Sequence, residues 1–109
     1  MTFNDYIPLA MRTQNGKLTD GEGYTEEADG YTWTFSVDEG WVFVSGVEPT
    51  PTGAVSIPET LGGWTVREID SSLFRGCDKM TSVRLPSGLS EIYDQMFAGC
   101  ASLESVAFS

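Results

Sequence analysis

The sequence predicts a mainly β or α+β protein, a short solenoid of about two coils capped at its N-terminal end by an aromatic β-hairpin. The first observation is a repeat, because Ile69–Val83 (IDSSLFRGCDKMTSV) recurs 23 positions later as Ile92–Val106 (IYDQMFAGCASLESV). The second is an alternation of aromatic and polar residues from Tyr31 to Val37. A fixed period in the twenties with mostly apolar constant positions is typical of stacked coils, each of which buries its face only against its neighbours.

Residues 1–30 are expected to form an N-terminal segment and an acidic, Gly-rich linker. Residues 1–11 carry enough apolar side chains for part of them to dock on the domain. Residues 12–30 (RTQNGKLTDGEGYTEEADG) carry few, which predicts a flexible linker or long loop. The acidic residues from Asp20 onwards lack the ligand order of a known calcium loop, so a solvated linker is favoured over a calcium site.

Residues 31–54 are expected to form the hairpin cap followed by a Pro/Gly loop. The alternating stretch Tyr31–Val37 is typical of a half-buried strand, the DEG at positions 38–40 supplies a tight turn, and Trp41–Ser45 (WVFVS) is the return strand. The following Gly46–Gly53 contains two prolines and two glycines, which predicts a crossing loop without regular pairing.

Residues 55–109 are expected to form the coils. Three short strand-like pieces begin at Val55, Val83 and Val106, which are 28 and then 23 positions apart. The five extra residues fall within TLGGWTV, where two consecutive glycines allow an excursion of the chain on the first coil. Between the strands, SSLFRGC and DQMFAGC allow at most one or two helical turns before a glycine ends them.

Cys77 and Cys100 occupy the same place in the two coils. Coils stacked about 5 Å apart would bring their Cα atoms within the range of a disulfide. Free buried thiols that act as small apolar side chains are the favoured interpretation, because this is common for cysteine in protein cores. A disulfide is the alternative, and a metal or redox role is the least favoured.

The composition argues against several classes of function. The formal net charge is −10, from 6 basic and 16 acidic residues, which disfavours nucleic acid and anionic membrane surfaces as partners. No run of 18 apolar residues that could insert in a membrane is present, and the opening residues lack the pattern of a secretory signal peptide. The chain has no histidine, the usual general base and a common metal ligand. We therefore expect no enzyme activity, no cofactor and no metal site.

The motif C-x-x-[LM]-x-x-V-x-[LF], the Leu-Pro that follows its first copy, and the element F-x-G-C resemble the BspA-like class of bacterial leucine-rich repeats, with coils of about 23 residues. The resemblance covers Val55–Ser109. The aromatic hairpin and the element I-P-x-x-L-G-G resemble a lead-in module that precedes such repeats. The resemblance implies a secreted or surface-exposed bacterial protein that presents a repeat surface for adhesion, without a reaction or cofactor. Because that family usually has many coils, we expect this chain to be a piece of a longer protein.

The expected function is therefore a non-catalytic bacterial surface or secreted module for adhesion or protein–protein binding, with a protein or glycan ligand from a host or a neighbouring cell. The candidate binding surface consists of charged side chains and one tryptophan on the strands and their flanking loops: Glu59, Trp64, Arg67, Arg84, Glu91 and Glu104. One alternative is a carbohydrate-binding module, because exposed tryptophans stack on sugar rings. The other is a structural spacer or end piece of a longer repeat protein.

The last coil is expected to leave an apolar edge open, because no cap follows it in the sequence. The side chains concerned are Phe97, Leu103, Val106 and Phe108. An uncovered coil exposes both apolar surface and unpaired strand groups. Self-association through this edge is the resulting expectation, with coverage by further coils as the alternative.

Overall fold

The computed structural model describes residues 13–14, 17–92 and 94–108, which are mostly β-strand. The predicted mainly β repeat fold is confirmed. The helical content of the described residues is one short 3-10 helix, within the limit expected for the segments between the strands. The expectation that part of residues 1–11 docks on the domain lies outside the described residues.

Five strands form the N-terminal part: β1 (Thr13–Gln14), β2 (Lys17–Leu18), β3 (Gly21–Ala28), β4 (Tyr31–Asp38) and β5 (Trp41–Glu48). β1 pairs with β2, while β3, β4 and β5 form an antiparallel meander. The predicted hairpin is confirmed as β4 and β5. Its turn places Glu39 and Gly40 at φ values of 50° and 81°, the left-handed conformation that a two-residue type I′ turn requires.

The predicted flexible linker is wrong for residues 17–18, which form β2, and for residues 21–28, which form the edge strand β3. Backbone pairing with β4 orders this strand, and its acidic side chains remain exposed. One aromatic side chain anchors it, because Tyr24 is buried with its ring centroid 5.8 Å from that of Phe35. The Tyr24 hydroxyl also donates a hydrogen bond to the Thr19 carbonyl oxygen at 2.9 Å. Charged residues on a sheet edge are common, since they discourage pairing with other chains.

The predicted crossing loop is also shorter than expected. β5 continues to Glu48, and Gly46 and Glu48 pair with Thr34 and Thr32 of β4. The register shifts by one residue at Ser45, and such a β-bulge lets a strand continue past an interruption in its pattern. The connection to the next strand is therefore limited to residues 49–52, which contain both prolines.

The coils contain five further strands and the 3-10 helix: β6 (Gly53–Ser56), β7 (Thr60–Leu61), β8 (Trp64–Ile69), β9 (Met80–Leu85), β10 (Ser105–Phe108) and the helix Asp94–Phe97. β6, β9 and β10 form a parallel sheet in the order β6-β9-β10. Val55 lies opposite Val83, and Val83 lies opposite Val106, so the predicted spacings of 28 and 23 are the register of this sheet. The predicted excursion on the first coil is the β7–β8 hairpin.

A second column of parallel strands connects the hairpin to the coils. Val42 of β5 lies opposite Val66 of β8, and Val44 lies opposite Ile69. The next coil continues this column, because the Ser90 amide donates to the Arg67 carbonyl oxygen at 3.0 Å, again 23 residues away. The hairpin is thus the first layer of the stack, and the buried apolar side chains of both columns share one core.

Close contacts between corresponding residues fix the stacking of the two coils. The rings of Phe74 and Phe97 lie parallel within 9°, with centroids 6.2 Å apart. Gly99 lies on Gly76 so closely that a Cβ atom on Gly99 would be 3.2 Å from the Gly76 backbone. A Cβ on Gly88 would be 2.5 Å from the Thr65 side chain, which explains why a glycine is required there.

Candidate functional site

Of the six side chains predicted as a binding surface, Trp64 and Arg84 line different grooves. Arg84, Glu91 and Glu104 are exposed, as expected for surface residues. Arg84 lines a small groove of about 220 Å³ over β6, β9 and β10, whose other outward side chains are mostly serine and alanine.

Besides Arg67, whose contact with Trp41 is described below, two of the predicted residues have structural contacts. The Glu59 carboxylate accepts hydrogen bonds from the Ser87 amide at 3.1 Å and from the Ser87 hydroxyl at 3.0 Å, which joins two coils. Trp64 is half-buried; its Nε1 donates to the Leu18 carbonyl oxygen at 2.7 Å, and the Lys17 ammonium lies 4.4 Å from the ring centroid. Both side chains therefore hold neighbouring segments together.

The three tryptophans do not form the flat sugar-binding platform that the carbohydrate alternative would use. Trp33 is fully buried, and its Nε1 donates to the Ala28 carbonyl oxygen at 3.1 Å. Trp64 is covered on one face by Lys17. Trp41 is different, because 47% of it is exposed.

Trp41 and Phe43 point outward from β5 because the strand alternates. Val42 lies between them, Val44 follows Phe43, and both valines are buried. The odd-numbered residues 41 and 43 therefore face away from the core. The parallel neighbour β8 has a register shift that inserts Arg67 as an extra residue, so that Glu68 lies opposite Phe43. The aromatic row of β5 therefore has a charged row of β8 beside it.

Two adjoining grooves run along these rows, and together we call them the acidic trough. The larger, of about 640 Å³, is lined by Phe43, Glu68, Ile69, Asp70, Ser71, Ile92 and Gln95. The smaller, of about 340 Å³, is lined by Ser36, Asp38, Glu39, Trp41, Val42, Phe43 and Glu68. Phe43 and Glu68 belong to both, which makes the two grooves continuous. Ile92 adds an apolar side chain from the last coil that is 43% exposed.

Among the described residues, all the charged side chains that line the acidic trough are carboxylates: Asp38, Glu39, Glu68 and Asp70. Glu68 is exposed, and its carboxylate has no hydrogen-bond or ion-pair partner within the described part of the chain. The Asp70 Oδ1 accepts hydrogen bonds from the Ser72 hydroxyl at 2.7 Å and the Ser72 amide at 2.8 Å, and these bonds lower the pKa of Asp70 below its ordinary value. Asp70 is therefore anionic at neutral pH.

Arg67 lies at the margin of the trough, on the ring of Trp41. Its guanidinium carbon is 3.9 Å from the ring centroid, the geometry of a cation–π contact. The Arg67 Nε is buried and has no hydrogen-bond partner among the described residues. A stacked guanidinium with an unpaired buried N–H indicates that the aromatic contact, rather than hydrogen bonding of the Nε, holds this side chain in place.

Both cysteines are free thiols, which agrees with the favoured interpretation. Cys77 is buried, and the Cys100 Sγ donates to the Phe74 carbonyl oxygen at 3.0 Å. Burial raises the pKa of both thiols, and the neighbouring Cys100 adds to the effect on Cys77. Neither thiol is thereby activated as a nucleophile.

Two further classes of site concern the described residues, namely metal sites and membrane-spanning helices. No group of three or more cysteine, aspartate or glutamate side chains in them has the geometry to hold a metal ion. No helix among them is long and apolar enough to cross a bilayer.

The sequence pointed to Trp41 only as one of three tryptophans that could stack on a sugar, and it did not point to the other main residues of the acidic trough, namely Phe43, Glu68, Asp70 and Ile92. Alternation on the return strand was recognisable, and it places residues 41 and 43 on one face. Alternation does not predict which strand lies beside β5. The parallel pairing with β8 is a long-range contact, and it is this pairing that brings Glu68 to Phe43.

Comparison with known proteins gives one match. A family model described as "BspA type leucine rich repeat region (6 copies)" matches residues 54–109, just over half of the chain. No curated protein and no solved structure matches the chain.

Proposed function

The chain belongs to the BspA-type leucine-rich repeat family, and from that premise we propose that it is a non-catalytic module for adhesion or protein–protein binding on a bacterial surface or in a secreted protein. The family is one of repeat modules for protein–protein contact, typically non-catalytic and surface-associated. In this proposal residues 55–109 are the binding coils, residues 31–54 are their cap, and residues 1–30 precede the cap.

The acidic trough is the observation that carries the proposal. It combines a large open surface with apolar side chains, Trp41 and Ile92, that are close to half exposed. Exposed apolar groups rimmed by polar ones are typical of protein-contact surfaces. The two-column stacking supports the proposal, because it holds the side chains of successive layers at fixed spacing on a rigid scaffold.

A binding screen tests the proposed function. The purified chain is presented to a panel of extracellular-matrix proteins and a glycan array, at low and at physiological salt. We expect a protein ligand whose affinity falls with added salt, because the trough is charged. Ile92→Ser should weaken the hit, whereas Val106→Ser, which changes a similarly exposed apolar side chain outside the trough, should not. A chain that binds no protein on the panel would contradict the proposal and favour the role of spacer.

Carbohydrate binding is a second candidate function, and the exposure of Trp41 favours it. A sugar ring would stack on the face of the indole not occupied by Arg67. Binding of this kind should be insensitive to salt and lost in Trp41→Ala. The matched change Trp64→Phe should leave glycan binding intact, because Trp64 is half-buried beneath Lys17.

Self-association is a third candidate, and the exposure of Val106 and Phe108 on β10 favours it. Within the described residues β10 pairs with β9 on one side, and its other edge has no strand partner. Light scattering over a range of concentrations should show a mass that rises from monomer to dimer, and Phe108→Lys should hold the chain as a monomer. A constant monomer mass for the unaltered chain would contradict this candidate.

A further inference from the structure

We propose that the acidic trough recognises a cationic, extended peptide segment of the partner, in which an arginine or lysine side chain lies against Phe43 and places its charged group on Glu68. This inference rests on the proposed function, since it specifies the chemistry of the protein that the module binds. It concerns one surface and one class of ligand. The charge of the trough, its apolar side chains and its open shape support this ligand class.

The charge of the trough selects against anionic ligands and in favour of cationic ones. All four charged side chains in its lining are carboxylates, and the whole chain has a net charge of −10. A groove lined by one sign of charge concentrates ligands of the opposite sign and accelerates their association. Glu68 lies at the centre of the trough, where the two grooves meet. Its lack of a partner among the described residues leaves it available to a ligand.

The apolar part of the trough narrows the ligand to an amphipathic cation. Phe43 lies directly opposite Glu68 in the β5–β8 pairing, so an aromatic ring and a carboxylate occupy neighbouring positions. Ile92 adds an exposed aliphatic surface to the lining of the larger groove, which also contains Glu68. Arginine and lysine match this pair of surfaces, because their aliphatic stems pack on apolar groups while their charged ends reach a carboxylate. A small inorganic cation would gain nothing from Phe43 or Ile92.

The protein itself contains this type of contact at the margin of the trough. The Arg67 guanidinium stacks on Trp41 at 3.9 Å from the ring centroid, two residues before Phe43 on the same face of β5. Cation–π contacts of this kind stabilise by about 0.5–1 kcal/mol at exposed sites. The contact shows that the outward aromatic row of β5 can hold a guanidinium group at Trp41. An arginine of the partner on Phe43 would repeat this contact at the next outward-facing residue of β5.

The shape of the trough favours an extended segment over a compact small molecule. Its two grooves adjoin through Phe43 and Glu68 and pass from the hairpin turn at Asp38 to Gln95 on the second coil. Small-molecule sites usually enclose most of the ligand surface in one concave pocket. This surface is instead an open channel that crosses successive layers of the stack. A peptide with basic side chains at alternate positions would place them along one wall of such a channel.

The test measures binding of defined peptides to the full chain. The probe is a fluorescein-labelled peptide of alternating glycine and arginine, with lysine and glutamate versions of equal length, followed by fluorescence anisotropy at low and physiological salt. We expect the arginine and lysine peptides to bind and the glutamate peptide not to bind. Glu68→Gln should weaken the arginine peptide about tenfold, which corresponds to about 1.4 kcal/mol. Phe43→Leu should weaken it by a smaller factor, because the aromatic face is lost but the apolar surface is kept.

The matched control is Glu104→Gln. It removes the same charge from an exposed glutamate that lines neither groove of the trough, so it should change the affinity less than about twofold. Equal weakening by Glu68→Gln and Glu104→Gln would overturn the proposal, because it would show general attraction to an acidic protein. Absence of binding by both cationic peptides would overturn it as well. Circular dichroism melts of each variant verify that the chain remains folded.

The same peptides separate this inference from the proposed function. If a matrix protein binds the chain and the arginine peptide does not compete with it, the module binds proteins but the chemistry assigned to the trough is wrong. If the peptide binds at the trough and no protein on the panel does, the inference stands and the adhesion role loses its support. Backbone amide NMR shifts that cluster at Phe43, Glu68 and Ile92 on titration with the peptide would support the location. Shifts spread over the whole surface would overturn it.

Discussion

A phenylalanine side chain is buried in the hairpin cap, whereas a phenylalanine side chain in the last coil is exposed. Phe35 lies on β4, which has β3 on one side and β5 on the other, and it is 0% exposed. Phe108 lies on β10, which has β9 on one side within the described residues, and it is 52% exposed. The residue type and the strand conformation are the same. The number of neighbouring layers therefore decides how much of a side chain is buried in a stacked fold.

The repeat itself contains a second version of this comparison. Phe74 and Phe97 occupy the same repeat position and stack on each other, yet Phe74 is fully buried and Phe97 is half-buried. Phe74 has a layer on either side of it, because the hairpin contributes the first layer of the stack through β5. Stability in this protein should therefore decrease from the cap towards the last coil, and substitutions at matched positions measure that decrease.

The largest effect is expected from truncating the two phenylalanines at opposite ends of the stack. Phe35→Ala removes a fully buried ring that contacts Tyr24 and should lower the free energy of unfolding by about 3–5 kcal/mol. Phe108→Ala removes a ring that is already half in water and should change it by less than about 1 kcal/mol. Urea unfolding followed by tryptophan fluorescence measures both. If the alanine variant does not fold, Phe35→Leu can replace it, with a smaller expected loss in the free energy of unfolding. Similar losses in Phe35→Leu and Phe108→Leu would contradict the comparison.

The second-largest effect is expected from truncating the two phenylalanines that occupy the same repeat position in successive coils. Phe74→Ala should cost about 3–5 kcal/mol, because it leaves a cavity between two layers. Phe97→Ala should cost about half as much, since part of its ring is exposed and water can fill the space. Both variants lose the same stacking contact, so the difference between them isolates the coverage on the other face of Phe74. Equal losses would mean that the stacking contact, and not the position in the stack, determines the energy.

A glycine pair tests the contact between the coils without changing any apolar side chain. Gly76 and Gly99 have nearly the same backbone, with φ values of 77° and 79°. Gly76→Ala should cost about 1 kcal/mol from the left-handed backbone alone, because its Cβ would enter open space. Gly99→Ala should cost about 1 kcal/mol more, since its Cβ would be 3.2 Å from the Gly76 backbone. Thermal unfolding of the two variants under one condition measures this difference, and identical midpoints would show that the coils separate there without cost.

Much of the fold was predictable because the repeat is local in sequence. Val55, Val83 and Val106, whose spacing is visible in the sequence, lie opposite one another in the parallel sheet. The double glycine forms the turn of the β7–β8 hairpin. The β4–β5 hairpin followed from alternation and from the residues of its turn. Each of these features depends on side-chain period or on glycine conformation, and both are visible in a short stretch of sequence.

The features that could not be predicted depend on long-range pairing. β3 was interpreted as a linker because its composition is polar, yet an edge strand needs only backbone hydrogen bonds and one anchor such as Tyr24. The acidic trough was missed for a related reason: Glu68 and Phe43 are 25 positions apart and meet through the β5–β8 pairing. The sequence also did not show that the Glu59 carboxylate bonds to Ser87 or that the Trp64 Nε1 bonds to Leu18, because each pair lies far apart along the chain.

The smallest expected effect concerns pH and the loop of the first coil. Hydrogen bonds from the Ser72 hydroxyl and amide lower the pKa of Asp70 in the folded chain below its ordinary value of 3.8. A carboxylate with a lowered folded pKa stabilises the fold above the unfolded pKa, and this contribution is lost as the pH falls through the folded pKa. Ser72→Ala removes the hydroxyl donor, so it should destabilise the chain at pH 7 by less than about 1 kcal/mol, since the group is near the surface. The difference from the unaltered chain should shrink once the pH is below both pKa values. A difference that persists unchanged in acid would mean that the Ser72 hydroxyl stabilises the loop independently of the charge on Asp70, and urea unfolding at the two pH values distinguishes the cases.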